Sequence, residues 1–259
     1  MKTFFAILLF TITLFGSSDI TQVETVTNNI HNIAIQDDLN NDFDDEFNDS
    51  DNEVEILDPF SGYNRTMTDF NDFFYVNLLS PVSTGYGNVV HKDIRKGVSN
   101  AYNNLLFPIR FVNNVLQFKF QNATDETIRF IVNSTFGILG IFDPALDDLN
   151  IKPHKEDFGQ TLGHYGVGAG PHIVLPFFGP SNLRDTISMV PDTILNPTTE
   201  YFPGSSLTTT ESLLIYSGYS INKTSLHLGE YESIKKDALD LYPFLRDIYE
   251  QKRLKEIKE

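Results

Sequence analysis

The amino-acid sequence points to an all-α protein: one helical domain, interrupted by irregular Gly/Pro-rich segments and preceded by an acidic tether. Three observations carry this. Apolar residues recur every four positions through several stretches, alternating strand patterns are scarce, and no internal repeat divides the chain. With 259 residues and 41% hydrophobic content, the chain is long enough to bury a core.

Taken in order, residues 1–18 have the layout of a signal peptide. Lys2 precedes an apolar run from Thr3 to Phe15, and Gly16-Ser17-Ser18 supplies small residues for cleavage. That run is too short to span a bilayer, which takes about 20 apolar residues, and no later stretch is long enough either. Export is therefore expected. Residues 19–55 read as a disordered acidic linker, because a stretch such as Asp37–Glu46 is Asn-rich and has too few aliphatic side chains to offset the entropy of ordering. Its Asp spacing does not match an EF-hand loop. Charge is correspondingly uneven. Of the formal −16, residues 1–55 carry −11 and residues 56–259 only −5. With no basic stripe to neutralise phosphates, nucleic acid is not an expected partner.

The folded domain is expected over 56–259. Val90, Ile94, Val98 and Tyr102 share one helical spacing, and Leu105, Ile109, Asn113 and Leu116 share another, with Val112 alongside. Thr124 is read as an N-cap followed by Asp125 and Glu126, with Ile128, Ile131, Val132 and Thr135 on one face and Gly137 as the stop. A last helix is expected over about Ser233–Lys258, interrupted near Pro243. Only Ile173-Val174-Leu175 reads as strand. Residues Leu139–Arg184 combine many Gly and Pro with unusual apolarity for a loop, so the segment is either buried or faces something greasy such as lipid; composition favours burial.

Catalytic signatures are scarce. Asp157-Phe158-Gly159 lacks the other kinase elements. Tyr165–Gly170 places its third glycine one residue too early for a dinucleotide loop. No H-E-x-x-H, G-x-S-x-G or Walker sequence occurs, and zero Cys excludes thiolate chemistry. His154 with Glu156 and Asp157, or His164 with His172, can in principle meet as a metal or acid–base site, but hydrogen-bonded structural roles are commoner for such residues. No metal, cofactor or catalytic residue is expected. Arg65, Arg129 and Arg184 sit in apolar contexts and each needs a carboxylate or carbonyl partner, with Asp143, Asp157 and Asp185 as candidates.

These residues, read together, resemble the MlaA (VacJ) family. The likeness runs through Asp58–Arg65, Phe70-Asn71, Arg95–Asn100, Arg129–Gly137, Gly140–Asp143 and Asp157–Pro171. It continues through Leu175-Pro176, Gly179–Ser181, Leu183–Asp185 and Tyr242–Arg246, covering about residues 56–253 in order. The resemblance implies a helical ring in the periplasmic leaflet of the outer membrane with an amphipathic channel. Misplaced phospholipid would pass from the outer leaflet through it to a periplasmic carrier protein, with a trimeric porin as partner. A channel needs a polar path for headgroups, so the expected lipid-path or structurally critical residues are Asn64, Arg65, Phe70, Asn71, Asp157, Gly166, Gly168, Gly170, Pro171, Pro176, Gly179, Pro180, Arg184 and Asp185. Family members commonly carry a lipidated Cys after the signal peptide, whereas this sequence has none. Either the embedded ring and its porin hold it, or it works as a soluble periplasmic protein on a long leash. The rival readings are a lipid-modifying enzyme and a structural scaffold for porins.

Overall fold

The computed structural model describes residues 58–258. The expected signal peptide, the linker and the first two domain residues lie outside the described residues. Eleven α-helices and one hairpin are present among the described residues. They are α1 (Ser61–Phe74), a π-helical stretch Tyr75–Leu79, α2 (Ser80–Val89), α3 (Lys92–Leu105), α4 (Phe107–Leu116), α5 (Phe120–Thr135), α6 (Pro144–Asp147) and α7 (Phe158–His164). Strands β1 (His172–Leu175) and β2 (Gly179–Asn182) follow, then α8 (Leu183–Leu195), α9 (Thr209–Leu226), α10 (Glu230–Asp237) and α11 (Leu241–Lys258).

Local chemistry explains where these elements start and stop. Pro108 sits in the first turn of α4, where a missing N–H costs nothing, and Pro81 follows directly on the π-helical stretch, where the ladder is already displaced, the Ser80 N–H donating to the Tyr75 carbonyl. Asp157 and Gln160 form a reciprocal capping box on α7, as do Thr208 and Glu211 on α9. Gly137 follows the end of α5, where a Cβ would lie 2.5 Å from the carbonyl oxygens of Asn133 and Phe142. Two boundaries differ from the sequence reading. Helix α5 begins a full turn before Thr124, whose hydroxyl instead donates back to the Phe120 carbonyl at 2.9 Å. The C-terminal helix is two helices, broken at 238–240. Pro243 lies in the first turn of α11, where its lack of an N–H is harmless.

Packing closes on itself. Helix α1 leads through the π-helical stretch to α2, and α2 packs on α9. Helix α9 packs on α3, α3 on α4, and α4 on α5 and α7. Helix α7 packs on α8 and α11, and α11 returns to β2 and α1. This circuit is the ring-like helical domain that the resemblance implies. The hairpin pairs antiparallel, His172 with Asn182 and Leu175 with Gly179. Strand β1 was legible in the sequence. Strand β2 was not, because Gly179-Pro180-Ser181-Asn182 has no strand propensity and pairs only through its backbone.

The distribution of side chains is inverted. Among the described residues, nine apolar side chains are buried against 28 polar or charged ones, while 35 large apolar side chains are exposed. Ile94 and Val98 on α3, Ile128 and Ile131 on α5, and Leu183, Ile187, Val190 and Ile194 on α8 all face outward. The opposite faces bury Asn104, Asn113, Asn114, Glu126, Arg129 and Asn133. A water-soluble domain does the reverse, and outward apolar area on this scale marks a surface that meets lipid or protein. No helix among the described residues is long and apolar enough to cross a membrane.

The inversion corrects the reading of Leu139–Arg184 as a buried irregular segment. Leu139, Ile141, Phe142, Leu146 and Leu149 are exposed, as is Ile138 just before them; inside, Arg129, Asn133 and Asp143 hold the turn. The segment also contains α6, α7 and the hairpin. Among its apolar side chains, burial holds at Ala145 and at β1, where Val174 and Leu175 are enclosed.

Candidate functional site

The hairpin is held by two amides of α1. Asn64 is fully buried. Its Nδ2 donates to the His172 carbonyl at 3.1 Å, to Asp58 at 3.0 Å and to the Tyr242 hydroxyl at 3.1 Å, while its Oδ1 accepts from the Val174 N–H at 2.8 Å. Asn71, two turns along, donates to the Leu175 carbonyl at 2.8 Å and accepts from the Phe177 N–H at 2.5 Å. Those contacts hold the 176–178 turn, where Phe177 is left-handed at φ 69°. Phe70 and Phe74 pack edge-on against the Phe177 ring at 5.1 and 4.9 Å. Asn64, Phe70, Asn71, Pro176, Gly179 and Pro180 therefore come together as one clasp.

Arg65 points away from it. It pairs with Asp240 at 2.6 Å, both half exposed, rather than with any of the three expected carboxylates. Arg129 does reach Asp143 at 2.8 Å, and Arg184 reaches its neighbour Asp185 at 2.9 Å. Asp157 instead belongs to Arg253.

That pairing organises a second cluster. Arg253, buried on α11, grips Asp157 through both terminal nitrogens at 2.5 and 2.8 Å and Asp185 through Nε at 2.9 Å. Asp185 is fully buried and also accepts from Asn182 at 2.9 Å and Tyr249 at 2.6 Å. Burial alone would raise its pKa. The charge of Arg253 and the hydrogen bonds from Arg184, Arg253 and Tyr249 outweigh that and hold it below the ordinary carboxylate value. Asp192 behaves oppositely. Burial, reinforced by the nearby Asp157 charge, pushes it well above the ordinary value, despite donation from the Phe158 N–H at 3.1 Å and Asn113 at 3.1 Å.

Beside this cluster lies a partly open cavity of about 530 Å³ lined by residues of α3, α4, α5, α7, α8 and α11. Its walls are polar: Asn103, Asn104, Arg110, Asn122, Arg129 and Asn133 on one side, Asp157, Asp192 and Arg253 on the other. Of the lipid-path candidates read from the sequence, Asp157 alone lines it, joined by Arg129, Asp143, His154 and Glu156, which the sequence singled out on other grounds. Gly166, Gly168, Gly170 and Pro171 form the loop between α7 and β1, and Arg184 and Asp185 open α8 behind the wall. Gly166, Gly170 and Gly179 take left-handed backbone (φ 83°, 70° and 83°), whereas Gly168 does not.

Sequence reasoning missed Arg253, Tyr249, Asp192, Glu126 and Arg110. One signal was available. Asn103, Asn104, Asn113, Asn114, Asn122 and Asn133 place uncharged amides on helix faces where water-facing helices carry Lys and Glu. The histidines whose grouping the sequence left open take separate partners. His172 is buried with its Nδ1 2.8 Å from Glu250, His164 packs against Tyr165, and His154 lies 3.3 Å from Asp125. Among the described residues no group of three His, Cys, Asp or Glu side chains is placed to hold a metal.

A closed circuit of helices, apolar outside and polar inside, with a polar cavity among part of them defines a protein built to sit against an apolar phase while keeping a polar interior. The chain belongs to the MlaA lipoprotein family, whose model matches residues 56–256. It is 35% identical over 149 residues to an uncharacterised protein of Rickettsia typhi, covering 57% of this chain and 59% of that one, so it spans under two thirds of that relative's length. It is 30% identical over 207 residues to the intermembrane phospholipid transport system lipoprotein MlaA of Haemophilus influenzae, covering 79% of this chain and 80% of that protein. A solved structure described as the structural basis for maintenance of bacterial outer membrane lipid asymmetry matches with a TM-score of 0.66 and 31% identity. That match covers 77% of this chain and 98% of the other.

Proposed function

We propose that this chain is the outer-membrane component of a phospholipid transport system, taking misplaced phospholipid from the outer leaflet and passing it through its polar interior toward a periplasmic carrier. The observation that carries this reading is the inversion: an apolar exterior that meets acyl chains and a polar cavity that accepts a headgroup. A charged headgroup in hydrocarbon is very costly, so a path across the leaflet has to be polar inside and apolar outside. The chain acts as a transport component without a reaction of its own. It reaches the periplasmic face of the outer membrane through the signal peptide at 1–18, with 19–55 as a spacer, and works beside a trimeric porin. In this reading Asn64, Phe70, Asn71, Pro176, Gly179 and Pro180 hold the hairpin at the path. Asp157, Arg184 and Asp185 brace its wall, Gly166, Gly168, Gly170 and Pro171 shape the adjoining loop, and Arg65 fastens α1 to the start of α11.

The test compares surface-exposed phospholipid, with full chemical analysis, in cells with and without the chain. Accumulation of intact phospholipid in the outer leaflet on loss of the chain is the expected result. Unchanged exposure with lyso-lipid that tracks the chain would point to an enzyme. Unchanged lipid with lost porin association would point to a scaffold.

A further inference from the structure

We propose that Arg129, supported by Arg110, is a phosphate-binding subsite inside the cavity, and that its ligand is the phosphate of a lipid headgroup; this rests on the transport reading above. Arg129 is 7% exposed and lines the cavity. One terminal nitrogen donates to the Ile151 carbonyl and the other to Asp143 at 2.8 Å, but its Nε–H is buried without an acceptor. A buried guanidinium N–H left unpaired is unfavourable, and an arriving anionic oxygen would satisfy it.

The neighbouring acids are already hydrogen-bonded, and Asp143 pairs with Arg129 itself through one oxygen. Asp143 takes the Asn133 amide and the Leu146 N–H on its other oxygen. Glu126, one turn before Arg129 on α5, takes Arg110 Nε at 2.6 Å and the His154 N–H at 2.6 Å. Arg110 thus adds a second guanidinium to the same wall, and the Asn103 and Asn122 side chains lining it can donate to phosphate oxygens. Six basic and five acidic side chains line the cavity as a whole. Burial beside Asp157 disfavours the charged form of Asp192, which lessens the negative charge the lining presents. Planar guanidinium groups in a partly desolvated cavity suit a phosphodiester, and the cavity volume lies within the range usual for ligand sites.

The test uses the full chain in non-ionic detergent at low salt, titrated calorimetrically with glycerophosphoglycerol, inorganic phosphate and glycerol. One glycerophosphoglycerol per chain is expected, at least tenfold tighter than either of the others and weakened at least tenfold by Arg129→Gln. Equal affinity for inorganic phosphate would overturn the headgroup assignment. Equal affinity for glycerol, or an unaltered Arg129→Gln variant, would overturn the subsite. Wild-type crystals soaked in tungstate, a phosphate-shaped anomalous scatterer, give a readout that does not depend on the variant folding. A peak within hydrogen-bonding distance of Arg129 Nε supports the site, and a peak elsewhere or none removes it. Failure here with asymmetry still dependent on the chain would remove the subsite and leave the transport reading standing.

Discussion

Replacing Arg253 with Met keeps most of the side-chain volume but removes the cation from a cluster that ties α11 to α7 and α8. In the intact protein Arg253 contacts Asp157 twice and Asp185 through Nε, all at 2.5–2.9 Å, and the carboxylate of Asp185 has no exposure to water. The substitution takes the cation from Asp157 and leaves Asp185 with Arg184 still paired to it, and removing one partner of a buried ion pair costs about 3–5 kcal/mol. At 2–4 °C per kcal/mol for a domain this size, the melting temperature should fall by roughly 6–20 °C. Thermal unfolding followed by far-ultraviolet circular dichroism in detergent measures it. The pH dependence gives a second handle. Asp185 has a folded-state pKa held below its ordinary value of 3.8, so the stability it contributes is present above that value and is lost as pH falls through the folded value. The gap between wild type and variant should therefore persist from pH 7 to 5 and narrow only in more acid solution. A loss under about 1 kcal/mol at pH 7 would refute the view that the cluster fastens the C-terminal helix.

Asp192→Asn mimics the protonated carboxyl, and its effect should run in the opposite pH direction. The folded-state pKa is raised, so wild-type stability declines as pH rises above 3.8 toward the folded value while the variant's does not. The variant should gain on wild type between pH 4 and pH 7 in the same melts; a constant difference would show that Asp192 is ionised throughout. Three glycines rank by their surroundings. A Cβ on Gly140, at φ 88°, would lie 2.5 Å from the Cβ of Asn104, so Gly140→Ala should cost roughly 2–5 kcal/mol from strain and overpacking together. Gly166→Ala meets no neighbour and carries only its left-handed backbone, about 1–2 kcal/mol, whereas Gly168→Ala should stay within about 0.5 kcal/mol. Chemical unfolding of the three variants checks the order, and a Gly168→Ala loss matching that of Gly140→Ala would break it.

Local chemistry was legible in the sequence. The stop at Gly137 and the four-residue recurrence through Ile94, Val98 and Tyr102 each act over one or two turns, so they can be read without knowing what lies across the fold. Thr124 misled because a threonine followed by two acids looks like a cap, although Lys119 and Phe120 begin the same helix earlier. What the tertiary structure alone decided was the sense of every face. A stripe of Ile and Val at helical spacing looks the same whether it meets a protein core or an apolar surround, because periodicity records the contrast between two faces and not which of them is inside. The pairing of Arg253 with Asp157, 96 residues apart, was equally out of reach. Only the closed circuit of helices brings those charges together, and only that enclosure makes burying so many amides and ions favourable, since most of their polar atoms find partners inside.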